Sequence, residues 1–339
     1  MISKSSYECM QNLLIHGDNL VELSKLVQSG FKNSIDLIYI DPPFATNQDF
    51  LISSERVSTI SRQAHGKVAY SDNFTLDEYL AFLKPRLEIM YKLLSDQGSF
   101  YFHIDYKVGH YVKILLDQIF GFDQFRADIS RVKCNPKNFS RKNYGNIKDM
   151  ILFYTKTKKY IWNDIGISET DASLKKRFNK IDKKGHYTTI PLHAPGETVN
   201  GITGKKFMGS LPPKGRHWRY SPKILEKLYK KGMIEVSKTG NMRLKKYLEL
   251  DKDKKNQDIW EFKDPQNPIY PTEKNSSMLD YIILNSSNQK SIVLDCFCGS
   301  GTALASAYKF GRFYIGIDQS KEAIRSAKLK LKKLDKLLL

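Results

Sequence analysis

The sequence predicts an α/β protein with a mostly parallel, doubly wound sheet. Two apolar segments about 250 residues apart support this prediction: Leu37–Ile40 leads into Asp41-Pro42-Pro43-Phe44, and Ile292–Leu294 leads into a glycine turn at Asp295–Thr302. Short apolar segments of this kind are typical of buried parallel strands. The carboxyl ends of such strands meet at the topological switch point of the sheet, where ligands bind. We therefore expect the two turns to lie side by side.

The N-terminal part alternates between predicted strands and helices. Residues 45–70 are polar, so we expect a long loop that acts as a lid or as a substrate-contacting arm. Thr75 and Glu78 have the spacing of a capping box and predict the start of a helix over 76–94. The other elements of this part are strands at Leu13–His16, Asp36–Ile40 and Ser99–Asp105 and helices at Leu20–Leu26 and Val108–Phe120.

The alternation stops after a strand at Met150–Tyr154 and resumes near Ser277. Between them, residues 160–260 contain frequent Pro and Gly and have no regular rhythm, so we predict a separate small module there. The elements predicted after this module are, in order, a helix at Ser277–Leu284, a strand at Ile292–Asp295, a helix at Thr302–Tyr308, a strand at Tyr314–Asp318 and a helix at Lys321–Leu334.

The excess positive charge of the chain lies in one central block. Residues 131–263 contain 32 Lys and Arg against 13 Asp and Glu, whereas the rest of the chain contains 23 of each. A surface that neutralises phosphates explains such a block, so nucleic acid is the favoured partner. A lysine-rich, solvated insertion is the alternative.

Composition indicates a soluble, cytoplasmic protein without a membrane partner. The 339 residues are 41% hydrophobic, which suffices for a packed core, and they include no run of 18 apolar residues. The first residues, Met1–Lys4, do not begin a secretory signal. The four cysteines suit a reducing compartment rather than a disulfide framework.

The turn after the second apolar segment has features of a nucleoside site. Gly299 and Gly301 allow a tight turn, and Asp318, at the end of the next predicted strand, is placed to bind ribose hydroxyls. Leu304 stands where a dinucleotide fingerprint has its third glycine, so an S-adenosyl group fits better than NAD. A strand–turn–helix junction without a ligand is the alternative. The two cysteines of the turn have no Cys or His pair nearby, so we expect no metal.

The segment Asp41-Pro42-Pro43-Phe44 has the groups that methyl transfer to an exocyclic base amine requires. The lone pair of such an amine is delocalised into the ring. The Asp41 carboxylate and the Pro42 carbonyl can accept both N–H groups and direct the lone pair at a methyl donor. Pro43 stiffens the turn, and Phe44 can stack on a base extruded from the duplex. Taken alone, the tetrapeptide is also compatible with an ordinary strand-ending turn.

Taken in order, these segments resemble a known family. The chain is similar to the DNA amino-methyltransferases of bacterial restriction–modification systems in which the catalytic motif precedes the target-recognition region and the cofactor motif comes last. Asp41–Phe44 matches the Asp-Pro-Pro-aromatic signature, and Asp295–Thr302 matches the Phe-x-Gly-x-Gly loop. Tyr270–Lys274 resembles the His-Pro-Thr-Gln-Lys segment, and Gly17-Asp18 resembles the Gly-Asp pair near the cofactor adenine.

The resemblance implies a circularly permuted methyltransferase fold, an α/β/α sandwich that uses S-adenosylmethionine. It implies a catalytic half at 1–155, an inserted target-recognition region at 156–262 and a cofactor-binding half at 263–339. The implied catalytic residues are Asp41, Pro42, Pro43 and Phe44. The implied cofactor-binding residues are Asp18, Thr272, Glu273, Lys274, Asp295, Phe297, Cys298, Gly299, Ser300, Gly301, Thr302, Asp318 and Gln319.

The expected reaction is methylation of adenine N6 on a flipped-out base in a specific duplex DNA sequence. Asp rather than Ser or Asn at position 41 favours adenine in what the resemblance implies. Cytosine N4 methylation is the first alternative, and an RNA base methyltransferase and a non-catalytic DNA-binding subunit are the others. Double-stranded DNA is the expected partner. A homodimer, a cognate restriction endonuclease and a second methyltransferase are further candidates.

Two basic segments are the predicted DNA contacts. The first contains Lys133, Asn135, Lys137, Arg141 and Lys142, and the second contains Arg216, Trp218 and Arg219. The alternatives are a solvated loop for the first segment and a core-anchoring role for Trp218. His103 and Asp105 lie either beside the cofactor or target, or in an ordinary polar pair at a strand end.

Overall fold

The computed structural model of the protein describes residues 11–43, 50–52, 67–70, 75–136, 142–168, 177–237, 240–248, 253–265 and 273–338. These residues form two compact units. The large unit comprises residues 1–165 and 257–339, and the small unit comprises residues 166–256. The small unit is therefore shorter than the target-recognition region predicted at 156–262. The roles assigned to the three predicted regions stay predictions.

Eighteen strands and seven α-helices are found in the described residues. The strands are β1 (Leu13–His16), β2 (Ile35–Ile40), β3 (Phe50–Ile52), β4 (Lys67–Tyr70), β5 (Leu94–Ile104), β6 (Phe125–Val132), β7 (Lys148–Thr155), β8 (Ile167–Ser168), β9 (Lys180–Asp182), β10 (Gly185–Pro191), β11 (His193–Pro195), β12 (Arg216–Trp218), β13 (Ile234–Val236), β14 (Met242–Tyr247), β15 (Asp253–Lys254), β16 (Ile259–Trp260), β17 (Ile292–Asp295) and β18 (Phe313–Asp318). The helices are α1 (Asn19–Leu26), α2 (Leu76–Leu93), α3 (Tyr106–Phe120), α4 (Pro222–Lys230), α5 (Ser276–Ser286), α6 (Thr302–Lys309) and α7 (Lys321–Leu338).

The large unit is built on one eight-stranded sheet in the order β1-β18-β17-β2-β5-β7-β6-β16. Neighbouring strands are parallel except for β7, which is antiparallel to both β5 and β6. This arrangement confirms the predicted fold class. The strand order reverses between β17 and β2, where Leu294 pairs with Ile38. The two functional turns of the sequence therefore follow adjacent strands at the switch point.

Helices cover both faces of this sheet. Buried residues of α1, α2 and α3 form one core with the sheet residues Ile38, Phe100 and Leu294. On the opposite face, α5 lies against the sheet, and the hydroxyls of Tyr101 and Ser286 are 2.7 Å apart. The predicted capping box at the start of α2 is present, because Thr75 and its partner three residues later exchange hydrogen bonds.

The small unit has an antiparallel sheet in the order β13-β14-β10-β9 and a hairpin of β11 and β12. Its core contains Leu192, Phe207, Leu225 and Trp218, and the last of these is only 3% exposed. Trp218 therefore anchors this core, which is the alternative stated for it, and its DNA contact stays a prediction. Its indole N–H donates a 3.0 Å hydrogen bond to the Lys205 carbonyl.

The polar segment at 45–70 is only partly described. Strands β3 and β4 pair antiparallel within it, so the predicted long loop contains two short paired strands. Its role as a lid or substrate-contacting arm stays a prediction. In the described part of the chain, no helix is both long and apolar enough to cross a membrane.

Candidate active site

A cavity of about 610 Å³ lies at the carboxyl ends of β17, β2 and β18. Asp41 and Pro43 line it from the turn after β2. Most of the predicted cofactor residues that the structure describes also line it: Glu273, Lys274, Asp295, Phe297, Cys298, Gly299, Ser300, Thr302, Asp318 and Gln319. The structure thus brings together residues that are more than 200 positions apart in the chain.

The glycine turn has the tight backbone that its sequence predicts. Gly301 adopts a left-handed φ of 74°, and a Cβ there would lie 2.8 Å from the Ala327 Cβ. The Gly299 N–H donates to Asp318 Oδ2 at 2.8 Å, and the Ser320 N–H donates to Oδ1 at 2.9 Å. Burial nevertheless raises the pKa of Asp318. The turn and this carboxylate therefore form one rigid edge of the cavity.

A second carboxylate, Asp295, lies beneath the turn. It is 3% exposed and accepts a 3.0 Å hydrogen bond from the Phe297 N–H. Burial, together with the charges of Asp41 and Asp318, raises its pKa well above the usual carboxyl value. A cationic ligand in the cavity would favour the ionised form of this side chain.

The Asp41 carboxylate is held at one oxygen and lacks a donor from the described residues at the other. Oδ2 lies 3.0 Å from the Lys274 ammonium. Oδ1 is buried and has no hydrogen-bond partner among the described residues. It lies 3.8 Å from Nδ1 of His103. A buried acceptor without a donor is unfavourable, so Oδ1 is suited to receive an N–H from a bound substrate.

His103, near the end of β5, and Asp105, just after it, have different roles in the structure. Asp105 caps α3 by accepting a hydrogen bond from the Lys107 N–H. His103 is fully buried and lies between the Tyr39 hydroxyl, at 2.9 Å from Nδ1, and Asp149 Oδ2, at 3.2 Å from Nε2. Only His103 therefore belongs to the surroundings of Asp41.

Comparison with known proteins identifies the family of this chain. A model of the DNA methylase family matches residues 35–329. The chain belongs to the DNA methylase family. This membership confirms the predicted class, a DNA amino-methyltransferase of the restriction–modification type, and the predicted methyltransferase fold. The choice between adenine N6 and cytosine N4 stays a prediction.

Individual relatives agree with this assignment. The methyltransferase is 41% identical over 94% of its length to the type II methyltransferase M.EcaI of Enterobacter cloacae, and the match covers 69% of that protein. It is 26% identical over 91% of its length to the probable type III restriction-modification enzyme HindVI Mod subunit of Haemophilus influenzae, of which it spans 48%. Its fold is similar to that of the cytosine-N4-specific PvuII DNA methyltransferase, with a TM-score of 0.52, 12% identity and coverage of 97% of this chain and 92% of that chain.

Lys330 is a cation of the methyltransferase site that was not predicted from the sequence. The Lys330 ammonium, on α7, lies 2.5 Å from Glu273 Oε1, 2.8 Å from Thr302 Oγ1 and 3.1 Å from Ser300 Oγ. The Leu-Lys alternation in residues 327–339 is typical of a solvated helix end and does not indicate a site residue. The sequence did contain one signal for this cation. The resembled motif has Gln where this chain has Glu273, and a carboxylate beside the cavity needs a cation.

Asp18 has a structural role that its motif did not indicate. Its carboxylate accepts from the Val21 N–H at the start of α1 and lies 3.3 Å from the Arg86 guanidinium. Asn19, rather than Asp18, is among the described residues that line the cavity, and its amide donates to the Cys296 carbonyl. Phe82 and Arg86, which also line the cavity, were not predicted. The predicted cofactor contact of Asp18 stays untested.

The predicted DNA-contacting residues differ in exposure. Asn135, Lys142, Arg216 and Arg219 are exposed. The Lys133 ammonium instead lies 2.6 Å from Asp149 in the interior, so this residue is already engaged within the large unit. Four further predicted residues lie outside the described part of the chain: Phe44, Lys137, Arg141 and Thr272.

Proposed function

We propose that this protein transfers a methyl group from S-adenosylmethionine to adenine N6 in a specific duplex DNA sequence. The observation that carries the proposal is the Asp41 carboxylate. Asp41 lines the cavity beside the glycine turn, and its buried Oδ1 has no hydrogen-bond partner among the described residues. Family membership supports DNA as the substrate.

The residues present fit this cofactor. A cavity of about 610 Å³ is within the usual size for a nucleoside-sized ligand. Asp318 would accept from the ribose hydroxyls, Phe297 offers an aromatic surface, and the backbone at Gly299 allows close approach. The bound cofactor supplies a methyl group on a positively charged sulfur. The carboxyl groups of Asp41 and Asp295 line the cavity, and a bound sulfonium would favour the ionised form of Asp295.

Asp41 would hold the target amine. Its free Oδ1 accepts one N–H, and the Pro42 carbonyl is placed in the chain to accept the other. Lys274 fixes Oδ2, so the carboxylate keeps one orientation. The Asp41 carboxylate stabilises the positive charge that develops on the amine nitrogen. The same carboxylate can take the proton that the methylated amine loses.

The choice of adenine rests on Asp41 and on the resemblance stated for it. The alternative is cytosine N4, and both bases present an exocyclic amine to the same acceptors. An RNA base methyltransferase and a non-catalytic DNA-binding subunit are less favoured, because the family is one of DNA methylases and the catalytic segment is intact.

The basic residues of the chain would contact the duplex. Exposed Arg216 and Arg219 suit phosphates or guanine edges, and Asn135 and Lys142 lie on the loop after β6. The target base must leave the stack to reach Asp41, and Phe44 would stack on it. A restriction endonuclease, a second methyltransferase or a second copy of the chain would be partners in the cytoplasm.

The first test is modified-base detection by single-molecule sequencing of DNA from cells that express the protein. We expect N6-methyladenine at one sequence motif and none in cells with an empty vector. N4-methylcytosine at one motif would overturn the choice of base and keep the mechanism. If purified protein methylates RNA and not duplex DNA, the proposed substrate is wrong.

A second prediction concerns Lys330. Replacing it with Met removes the ammonium beside the Glu273 carboxylate, whose side chain is 12% exposed at the cavity wall. The negative charge of Glu273 would then repel the carboxylate of the cofactor's methionine portion. We expect the Kd for S-adenosylmethionine to rise by roughly tenfold, or about 1.4 kcal/mol, with little change in rate at saturating cofactor. Calorimetric titration measures this Kd.

The matched control removes both charges. The double variant Lys330→Met with Glu273→Gln is expected to recover most of the affinity, because the negative charge at position 273 is removed together with the ammonium. Wild-type affinity in the single variant would show that Lys330 does not shape the cofactor site.

A further inference from the structure

From His103, a chain of charged side chains joined by hydrogen bonds and ion pairs extends into the interior. Asp149, on β7, is 2% exposed and bonds three donors: His103 Nε2 at 3.2 Å, Arg131 Nη1 at 3.3 Å and Lys133 Nζ at 2.6 Å. Arg131 is fully buried, donates from Nε to the Phe262 carbonyl and pairs with Asp264. The chain of contacts thus begins at Asp41 and ends at the segment after β16.

This geometry determines which nitrogen of His103 carries the proton. Burial raises the pKa of Asp149, but His103, Lys274 and Lys133 outweigh it and hold that pKa well below the usual carboxyl range. An ionised carboxylate only accepts hydrogen bonds, so Nε2 must be the donor. Burial, followed by the Lys274 charge, lowers the pKa of His103, so the ring is neutral and Nδ1 is an acceptor.

Tyr39 is the donor to the other ring nitrogen of His103, Nδ1. Burial, and next the Asp41 charge, raise the pKa of its hydroxyl well above 10.0, so it keeps its proton. The hydroxyl therefore donates to Nδ1 at 2.9 Å. Nδ1 therefore accepts from Tyr39 and carries no proton toward Asp41.

We propose that His103 is a positioning residue whose tautomer, fixed by Asp149 and Tyr39, keeps Asp41 Oδ1 free to accept the target amine. The proposal rests on the proposed function. A proton on Nδ1 would displace the Tyr39 donor and, once the ring is charged, would place an imidazolium 3.8 Å from Oδ1. That positive charge would attract Oδ1 and would compete with the target amine for it.

Two substitutions change this tautomer in different ways. In Asp149→Asn, the side chain loses the negative charge that makes Nε2 the donor, so the preference for a proton on Nε2 over Nδ1 weakens. In Tyr39→Phe, the neutral ring loses the donor that stabilises it, so protonation of His103 occurs at higher pH. The charged or titratable groups around His103 are Tyr39, Asp41, Asp149 and Lys274, with Arg131 and Lys133 acting through Asp149.

The test measures single-turnover methylation of duplex DNA over a range of pH, with the cofactor Kd and the thermal midpoint of each variant. We expect Asp149→Asn to lower the rate constant by about 10²-fold at neutral pH while the cofactor Kd stays within twofold. We expect Tyr39→Phe to move the acid loss of activity to higher pH. Asp117→Asn and Tyr154→Phe are matched controls, because that pair also joins a tyrosine hydroxyl to a carboxylate, at 2.6 Å, and neither residue lines the cavity.

The outcomes separate the two proposals. If the wild-type protein methylates no DNA, the proposed function fails before any variant is compared. If the wild type is active and Tyr39→Phe has the same rate and the same pH profile, the role of His103 is overturned. That variant keeps the ring volume, so it decides the matter even if Asp149→Asn unfolds.

Discussion

Replacing Asp41 with Ala is expected to lower the methyl-transfer rate constant by about 10³-fold, within the range that removal of a transition-state charge partner or a general base produces. The substitution removes both the acceptor for the amine N–H and the negative charge beside the developing cation. The cofactor Kd is expected to change by no more than a few fold, since the glycine turn, Asp295 and Asp318 remain. Single-turnover kinetics with a labelled cofactor measure the rate.

A graded series separates the two contributions of Asp41. Asp41→Asn keeps an oxygen that accepts one N–H and loses the charge, so its rate is expected to fall between those of the wild type and Asp41→Ala. Asp36→Asn, at the other end of the same strand, is the control. Asp36 accepts from Ser95 and from the Ile292 N–H, so its loss costs stability of about 1 kcal/mol and leaves the rate unchanged. Full activity in Asp41→Ala would exclude the catalytic assignment.

The parts of this fold that follow local rules were predictable. The strands β2 and β17 are continuous apolar segments, and Leu37, Ile38, Val293 and Leu294 are all fully buried. The start of α2 follows from one capping box. Because these signals are local, and because parallel strands place their functional turns at one edge, the sequence predicted the fold class and the meeting of the two turns.

The contacts around Asp41 were not predictable in the same way. Lys274 reaches Asp41 across more than 230 positions, and Asp149 reaches His103 because β7 pairs antiparallel with β5 in one particular register. Register depends on the whole sheet and not on a local pattern. The strands of the small unit were missed for another reason. They are short, and in β14 charged residues are interspersed among the core-facing ones, as in Arg243-Leu244-Lys245-Lys246.

The largest stability loss is expected from Arg131→Met. The Arg131 side chain is fully buried, and its guanidinium compensates Asp149, which is itself buried. Removal of one partner of a buried ion pair typically costs about 3–5 kcal/mol, because the remaining charge stays desolvated. Lys133 and His103 still bond Asp149 in the variant, so we expect the lower part of this range. Chemical denaturation with urea measures the loss.

The control and the pH dependence make this prediction specific. Arg126→Met, on the same strand, removes a guanidinium that is only partly buried and bonds the Thr155 hydroxyl, so a loss of about 1 kcal/mol is expected. The pKa of Asp149 is depressed in the folded protein. Its stabilising contribution is therefore complete above the pKa of an unfolded carboxyl group and is lost as the pH falls from that value through the folded pKa. The difference between Arg131→Met and the wild type should therefore stay constant from about pH 6 to pH 8 and shrink in acid. Equal losses in the two Arg variants would show that the buried charge of Asp149 does not depend on Arg131.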